Sequence, residues 1–278
     1  MTRHVLMSPP LHYLIEYEIN PWMHRANRVD RRRALVQWGN LHRELLQLGI
    51  KVELVQQGAG LPDMTFTANA GLALGTTYIP SNFRYPERQV ESAYFSRWFE
   101  SHEYRLQPVP QPHYWEGEGD VLWSLRGVFA GFRFRTECDA LDDLEKLLGT
   151  SITRLELADP RFYHLDTCFC PLSDRRALFY PPAFSLEART RIAACFPELI
   201  PIVEADAFRF ACNALPVDGA IVLNSGCEST VATLSALGYR CIQTPMDEFI
   251  KAGGSVKCLV LTLDSFGGLD VRTALSPE

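Results

Sequence analysis

The chain has 278 residues, a formal charge of -6, 47% hydrophobic and 22% charged residues, which gives enough apolar material for a full core and argues against disorder. Basic residues are scattered apart from "RVDRRR" at 28–33, read as a solvated helix start, so a nucleic-acid partner and an anionic membrane surface are excluded. No run approaches the roughly 18 apolar residues of a membrane span, the opening "MTRHVLMSPPLHYL" lacks a signal-peptide core, and the eight cysteines are spread through the chain, so reduced thiols and a cytoplasmic location are expected.

In chain order, the first helix is predicted over 30–48, with Leu35, Trp38, Leu41, Leu45 and Leu48 on one face, Asp30 as its cap and Gly49 as its stop. Further amphipathic stretches lie at 87–100, 139–148, 185–196 and 228–237. Short apolar or β-rich runs stand between them: "HVLMSPP", "KVELVQQ", "GLALGTTYIP", "VLWSLRGVFAGF", "CFCPL", "ALFYPP", "IPIVEA", "AIVLNSG", "CIQTP" and "CLVLTL". More than one strand per helix argues against a simple alternating parallel sheet and for repeated units of several short strands with one helix.

A small polar or reactive residue stands at the mouth of an apolar run at Asn20, Asn69, Asp120, Asp166, Asn213 and Cys258, with separations of 49, 51, 46, 47 and 45. Five such units would fill the chain and set one polar group per unit around a common axis, as in a closed radial repeat. No linker or low-complexity tract interrupts the series, so one domain over 1–278 is expected. "PVPQPH" at 108–113 reads as a rigid loop.

Cys258, where the "AGG" of "AGGSVKCLVLTL" meets a strand, is the leading nucleophile candidate. A cysteine buried at a strand end is the alternative. His164 in "FYHLDTCF" is the matching acid or base, and in an extended segment it points to the same side as Asp166; a satisfied core histidine is the alternative. Glu116, Glu118 and Asp120 in "WEGEGDVL" repel one another unless a cation sits among them, and a solvated acidic turn is the plainer reading. The pair Cys168 and Cys170 has no second pair, so both read as core residues on one strand face and no metal is expected. A thiol, an imidazole and several carboxylates or amides converging on one cavity would accept a planar cation such as guanidinium. Serine-elbow, phosphate-loop and dinucleotide motifs are missing, so nucleotide chemistry is not indicated and no cofactor is expected.

"DMTFTANAG", "EGEGD", "HLDTCF" and "GGSVKC", in this order, resemble the guanidino-group modifying enzymes of the pentein, or amidinotransferase, superfamily. The resemblance covers nearly the whole chain. It implies a five-bladed pseudo-symmetric α/β propeller and a small guanidino substrate such as L-arginine; association with further copies of the chain stays open. It further implies that Cys258 attacks the guanidinium carbon, that His164 protonates the leaving ammonia and then activates water, and that Glu118 and Asp166 hold the cation. Asn20, Phe66, Asn69, Asp120, Arg88 and Arg135 are then the substrate-binding set, with the two arginines gripping the substrate carboxylate and Arg133 as a rival for the second grip. Asn69 departs from the aspartate of deiminases and dimethylarginine hydrolases. "TANAG" with "YEINPWM" at 17–23 looks most like the arginine dihydrolase branch, which implies ornithine, carbon dioxide and two ammonia as products, with a one-step reaction to citrulline and a non-catalytic scaffold as the alternatives.

Overall fold

A computed structural model describes residues 4–110 and 113–264. Five three-stranded sheets repeat one pattern, in which a middle strand pairs antiparallel with one neighbour and parallel with the other. Strands β1 (His4–Met7) and β2 (Lys51–Leu54) are parallel and flank the helix Arg31–Gln47. The second blade has β3 (Gly71–Leu74), β4 (Thr77–Pro80) and β5 (Arg105–Leu106), with the helix Glu91–Ser101 as crossover. The third has β6 (Val121–Ser124), β7 (Gly127–Phe132) and β8 (Ile152–Glu156), with Ala140–Leu148. In the fourth, β9 (Phe169–Pro171), β10 (Arg176–Phe179) and β11 (Glu198–Pro201) go with Leu186–Cys195. The fifth holds β12 (Leu215–Val217), β13 (Ala220–Asn224) and β14 (Arg240–Thr244) with Glu228–Ala236. Finally β15 (Leu261–Thr262) runs back antiparallel to β1 and completes the first blade.

One tight turn precedes the antiparallel outer strand of every blade: Thr67–Ala70, Gly117–Asp120, Leu165–Thr167, the turn at 210–213, and Lys257–Leu259. These turns close a ring. Thr67–Ala70 touches Gly117–Asp120 on one side and Lys257–Leu259 on the other, and Gly117–Asp120 also touches Leu165–Thr167. Asn213 completes the circuit by donating to the Asp166 carbonyl at 3.0 Å and accepting from the Lys257 amide at 3.2 Å. Five of the six spaced polar positions, Asn69, Asp120, Asp166, Asn213 and Cys258, therefore lie on the inner turns. Asn20 does not: it lies in the loop after β1, where its Oδ1 caps a turn by accepting from the Trp22 and Met23 amides.

All five expected helices form. The first is capped by Asp30, which accepts from the Arg33 amide at 3.0 Å, and stops at Gly49 with φ 76°. Its buried stripe is Ala34, Gln37, Trp38, Leu41 and Leu45, with Leu48 at its end packed partly buried against the same core and Leu35 outside it. Gln37 is held inside by the Glu248 amide, to which its Oε1 is bonded at 3.0 Å, and Leu35 is exposed. Three strands, β5, β8 and β12, lie outside the apolar runs, and the expected loop at 108–113 includes residues 111 and 112, which lie outside the described residues. No helix among the described residues is long and apolar enough to cross a membrane.

Two inner turns meet backbone to backbone at Gly117, with φ 54°, where an added Cβ would come within 2.7 Å of both the Ala68 carbonyl oxygen and the Gly71 nitrogen. Both neighbours are backbone and cannot swing aside. Gly117→Ala is expected to destabilise the protein by about 2–4 kcal/mol, through left-handed strain plus overpacking. Urea unfolding measures it, and a midpoint equal to wild type would show that the two turns can move apart.

Candidate active site

The turn that carries Cys258 depends on the two glycines before it. Gly253 has φ 81°, and a Cβ there would sit 2.8 Å from the Tyr163 hydroxyl and 2.9 Å from the Trp22 ring. At Gly254 it would sit 2.5 Å from Phe66, which is itself held edge-on by Tyr13 and Phe249. With no side chains in the way, the Tyr163 hydroxyl donates to the Gly253 carbonyl at 2.8 Å, and the following turn delivers Cys258 to the ring. Asn213 grips the cysteine twice: its Oδ1 accepts from the Cys258 amide and its Nδ2 donates to Sγ, both at 3.1 Å. Sγ in turn donates to Asp166 Oδ2 at 3.2 Å.

Burial, and then the charge of Asp166, push the Cys258 thiol well above its usual range, so it rests neutral. Asp166 is itself pushed up by burial, with Lys257 pulling the other way, to about 7. Its Oδ1 is buried without a hydrogen-bond partner among the described residues. A cation entering here would satisfy that oxygen, favour the carboxylate and bring the thiol down with it.

His164 and Asp166 are not on an extended segment. His164 is extended, but Leu165–Thr167 is a helical turn, so the imidazole and the carboxylate take different partners. His164 Nε2 lies 2.7 Å from Glu116 Oε2, which also accepts from Arg135 Nη1 at 2.9 Å. Burial alone would raise Glu116, yet Arg135 and His164 hold it below the usual carboxylate range. Burial lowers His164 to about 4 despite Glu116. The ionised Glu116 can only accept, so the neutral ring keeps its proton on Nε2 and presents the Nδ1 lone pair, which faces Gly119.

The acidic motif is likewise a helical turn, Gly117–Asp120, and its carboxylates fan apart. Glu118, expected beside Asp166 as a second holder of the cation, accepts from Lys257 Nζ at 2.8 Å and from the Thr262 amide at 3.0 Å. Asp120 accepts from Thr136 Oγ1 at 2.6 Å and the Leu165 amide at 3.1 Å. Burial pushes Asp120 well above the usual range although these two bonds pull the other way, and through them it ties two blades together. The cations that the sequence required among these acids are Arg135 and Lys257.

Arg135 is buried, with its guanidinium 4.6 Å from the centre of the Tyr163 ring and 4.7 Å from that of Tyr85, and it donates to the Ile19 carbonyl at 3.1 Å. Arg133, its rival, is half-exposed and pairs with Glu156 on the outside. Arg88 is buried and pairs with Glu91 through both Nε and Nη2, while Nη1 donates to Asn69 Oδ1 at 2.8 Å. Asn69 Nδ2 is buried without a partner among the described residues. The same holds for Asp63 Oδ1, although the Tyr17 hydroxyl lies beside that carboxyl. Asn20 donates to the Ala252 carbonyl at 3.0 Å, joining the loop after β1 to the cysteine segment. Cys168 ends a turn and only Cys170 is in a strand, yet both enter the same core.

Residues 17–264 match the family model described as N,N dimethylarginine dimethylhydrolase, eukaryotic. The bifunctional arginine dihydrolase/ornithine cyclodeaminase ArgZ of Synechocystis sp. is 42% identical over 279 residues, 99% of this chain and 39% of that protein. The chain thus spans about two-fifths of the length of this relative. The N(G),N(G)-dimethylarginine dimethylaminohydrolase of Mycobacterium tuberculosis is 41% identical over 262 residues, 94% of this chain and 86% of that one. Among solved structures, the substrate-bound N-terminal domain of ArgZ matches with a TM-score of 0.89 and 42% identity, over 94% of this chain and 97% of that one. A family match across most of the chain, close relatives and a ring of five blades around a buried thiol agree: the chain belongs to the N,N dimethylarginine dimethylhydrolase family, within the pentein superfamily of guanidino-modifying enzymes.

Proposed function

We propose that this chain is a cysteine-dependent hydrolase of the arginine guanidino group, taking arginine and two waters to ornithine, two ammonia and carbon dioxide. The observation that carries the reading is the Cys258–Asp166 contact of 3.2 Å beside the bare Asp166 Oδ1. This is a nucleophile whose ionisation waits for a buried cation. On guanidinium binding, Asp166 pairs with the cation, the thiol gives up its proton, and Sγ bonds to the guanidinium carbon. The C–N bond to one terminal nitrogen breaks, and that nitrogen leaves as ammonia with the proton surrendered by the thiol. Water then attacks the S-bound carbon, His164 takes its proton, and the C–S bond breaks to give citrulline. A second round on the ureido carbon releases the second ammonia and a carbamate that loses carbon dioxide.

Arg135 has three N–H groups without acceptors among the described residues, so it is the main grip on the substrate carboxylate; Arg88 has one. Asp63, with a bare buried oxygen, faces the α-ammonium. Asn69 supports the two-round reaction, since its Nδ2 can donate to a neutral ureido oxygen where a carboxylate could not. The Mycobacterium tuberculosis relative, matched over most of its length, favours a second reading, a single round that stops at citrulline.

Cys258→Ser is expected to lose all but a few per cent of turnover with an unchanged melting temperature, and His164→Ala to accumulate a covalent adduct on Cys258 because proton transfer is worth about 10² to 10⁴ in rate. Intact-protein mass spectrometry after mixing with arginine reads the adduct, and an unmodified, fully active His164→Ala protein refutes the assignment.

The pH dependence of kcat/KM reports the free enzyme. Asp166 must be ionised to take the cation, and it titrates at about 7, so kcat/KM for arginine should climb about tenfold per pH unit below that value and level off above it. A flat profile between about pH 5.5 and 8 would remove Asp166 from this role.

Asn69→Asp is expected to shift the product from ornithine toward citrulline, because the new carboxylate pairs with Arg88 and the Nδ2 donor is lost. The ratio of ammonia to ornithine, with any citrulline released, measures this for wild type and variant. Citrulline alone from the wild type moves the assignment to the one-round reading.

A further inference from the structure

Arg88 uses four of its five N–H groups inside the protein: Nε on Glu91 Oε1 at 3.0 Å, Nη2 on Glu91 Oε2 at 2.8 Å and the Asp63 carbonyl at 3.2 Å, and Nη1 on Asn69 Oδ1 at 2.8 Å. The Phe83 ring covers one face of the guanidinium, 4.5 Å from its centre. Glu91, the first residue of the helix Glu91–Ser101, is fully buried and is bonded to nothing else among the described residues. Its two oxygens occupy the side-on edge of the guanidinium, the edge best suited to a second carboxylate. Arg88 is therefore aimed by Glu91 before any substrate arrives.

The aim decides how Asn69 stands. Nη1 can only donate, so the Asn69 amide must turn Oδ1 toward it and Nδ2 away. Nδ2 then lies over Gly119, so close that a Cβ there would collide with it, on the side where His164 also borders Gly119. An amide NH2 buried with no acceptor costs about 1–3 kcal/mol. With Oδ1 held by Arg88, rotating the amide to relieve that cost would break a charge-assisted bond, so the donor stays bare.

Resting on the arginine-hydrolase reading above, we propose that Glu91 is a positioning residue: through Arg88 it locks the Asn69 amide with Nδ2 presented as a donor to the oxygen that appears on the reacting carbon. Glu91 touches no reacting atom. Its carboxylate acts through the guanidinium, and its effect belongs to the steps in which the former guanidinium carbon bears oxygen. Substrate binding itself uses other groups, chiefly Arg135 and Asp166.

Glu91→Gln keeps the shape of the side chain and removes its charge, and Glu91→Asp keeps the charge and withdraws it from the fork. In ¹⁵N-labelled protein, the Asn69 side-chain amide is assigned by its disappearance in Asn69→Ala. Both Glu91 variants are expected to move that resonance, to lower kcat about tenfold and to change KM for arginine by less than about threefold, the split that marks an interaction made after binding. Should the Gln variant fail to fold, the Asp variant carries the same comparison. An unmoved Asn69 resonance, or a loss confined to KM, overturns the proposal. The wild-type products, ornithine or citrulline, judge the two-round reading separately, since the resonance and the kcat–KM split are read whichever product forms.

Discussion

Six carboxyl groups, Asp63, Glu91, Glu116, Glu118, Asp120 and Asp166, are buried at the centre of the ring, and among the described residues only three permanent cations, Arg88, Arg135 and Lys257, are buried with them. A charge taken out of water must be paired or neutralised. Glu116 is paired by Arg135, Glu118 by Lys257 and Glu91 by Arg88. Asp63, Asp120 and Asp166 have no guanidinium or ammonium of the described residues bonded to their carboxyl groups, and burial raises all three. The centre is short of positive charge, and the substrate proposed above, which brings a guanidinium and an ammonium, would make up the difference. The thiol shares in this: while Asp166 lacks a partner, the sulfur keeps its proton.

The ring makes that concentration of acids tolerable. Each blade ends its approach in one tight turn, and amides and hydroxyls are supplied where the turns meet, as Leu165 and Thr136 do for Asp120. Lys257 adjoins Cys258 in sequence and reaches Glu118 two blades away, so one bond fixes both the cysteine turn and the acidic turn. Asn213 does the same for Cys258 and Asp166. Positioning and charge balance are thus carried by the same side chains.

Much of this was legible in the sequence. Near-equal spacing marked the five inner turns, because each blade contributes one turn, and the five helices showed their periodicity. What the spacing could not convey was local geometry. His164 with Asp166, and Glu116 with Glu118 and Asp120, alternate as strand residues would, yet a helical turn begins directly after His164 and after Glu116, so partners expected side by side diverge. Glu116 and not Glu118 meets His164 for this reason. Asp63 and Lys257 stood inside the motifs "DMTFTANAG" and "GGSVKC" with nothing to single them out, and Glu91 lay in none. Arg88 and Glu91, three residues apart, offered a hint of a pair, but the break between the turn Pro86–Gln89 and the helix Glu91–Ser101 is not visible in the letters. β8, "ITRLE", was hidden by its charges, which an edge strand can turn to solvent.

β15 follows the cysteine turn directly and pairs with β1, the first strand of the described chain. As the protein is synthesised, four blades and the acids of the ring are made before residue 258 leaves the ribosome. The ring is complete once β15 pairs with β1, a pairing that joins the two ends of the described residues. On the proposed reading, closing the circle and seating the nucleophile go together, so a chain made only as far as residue 257 would hold an acid-lined cleft without the Cys258 thiol.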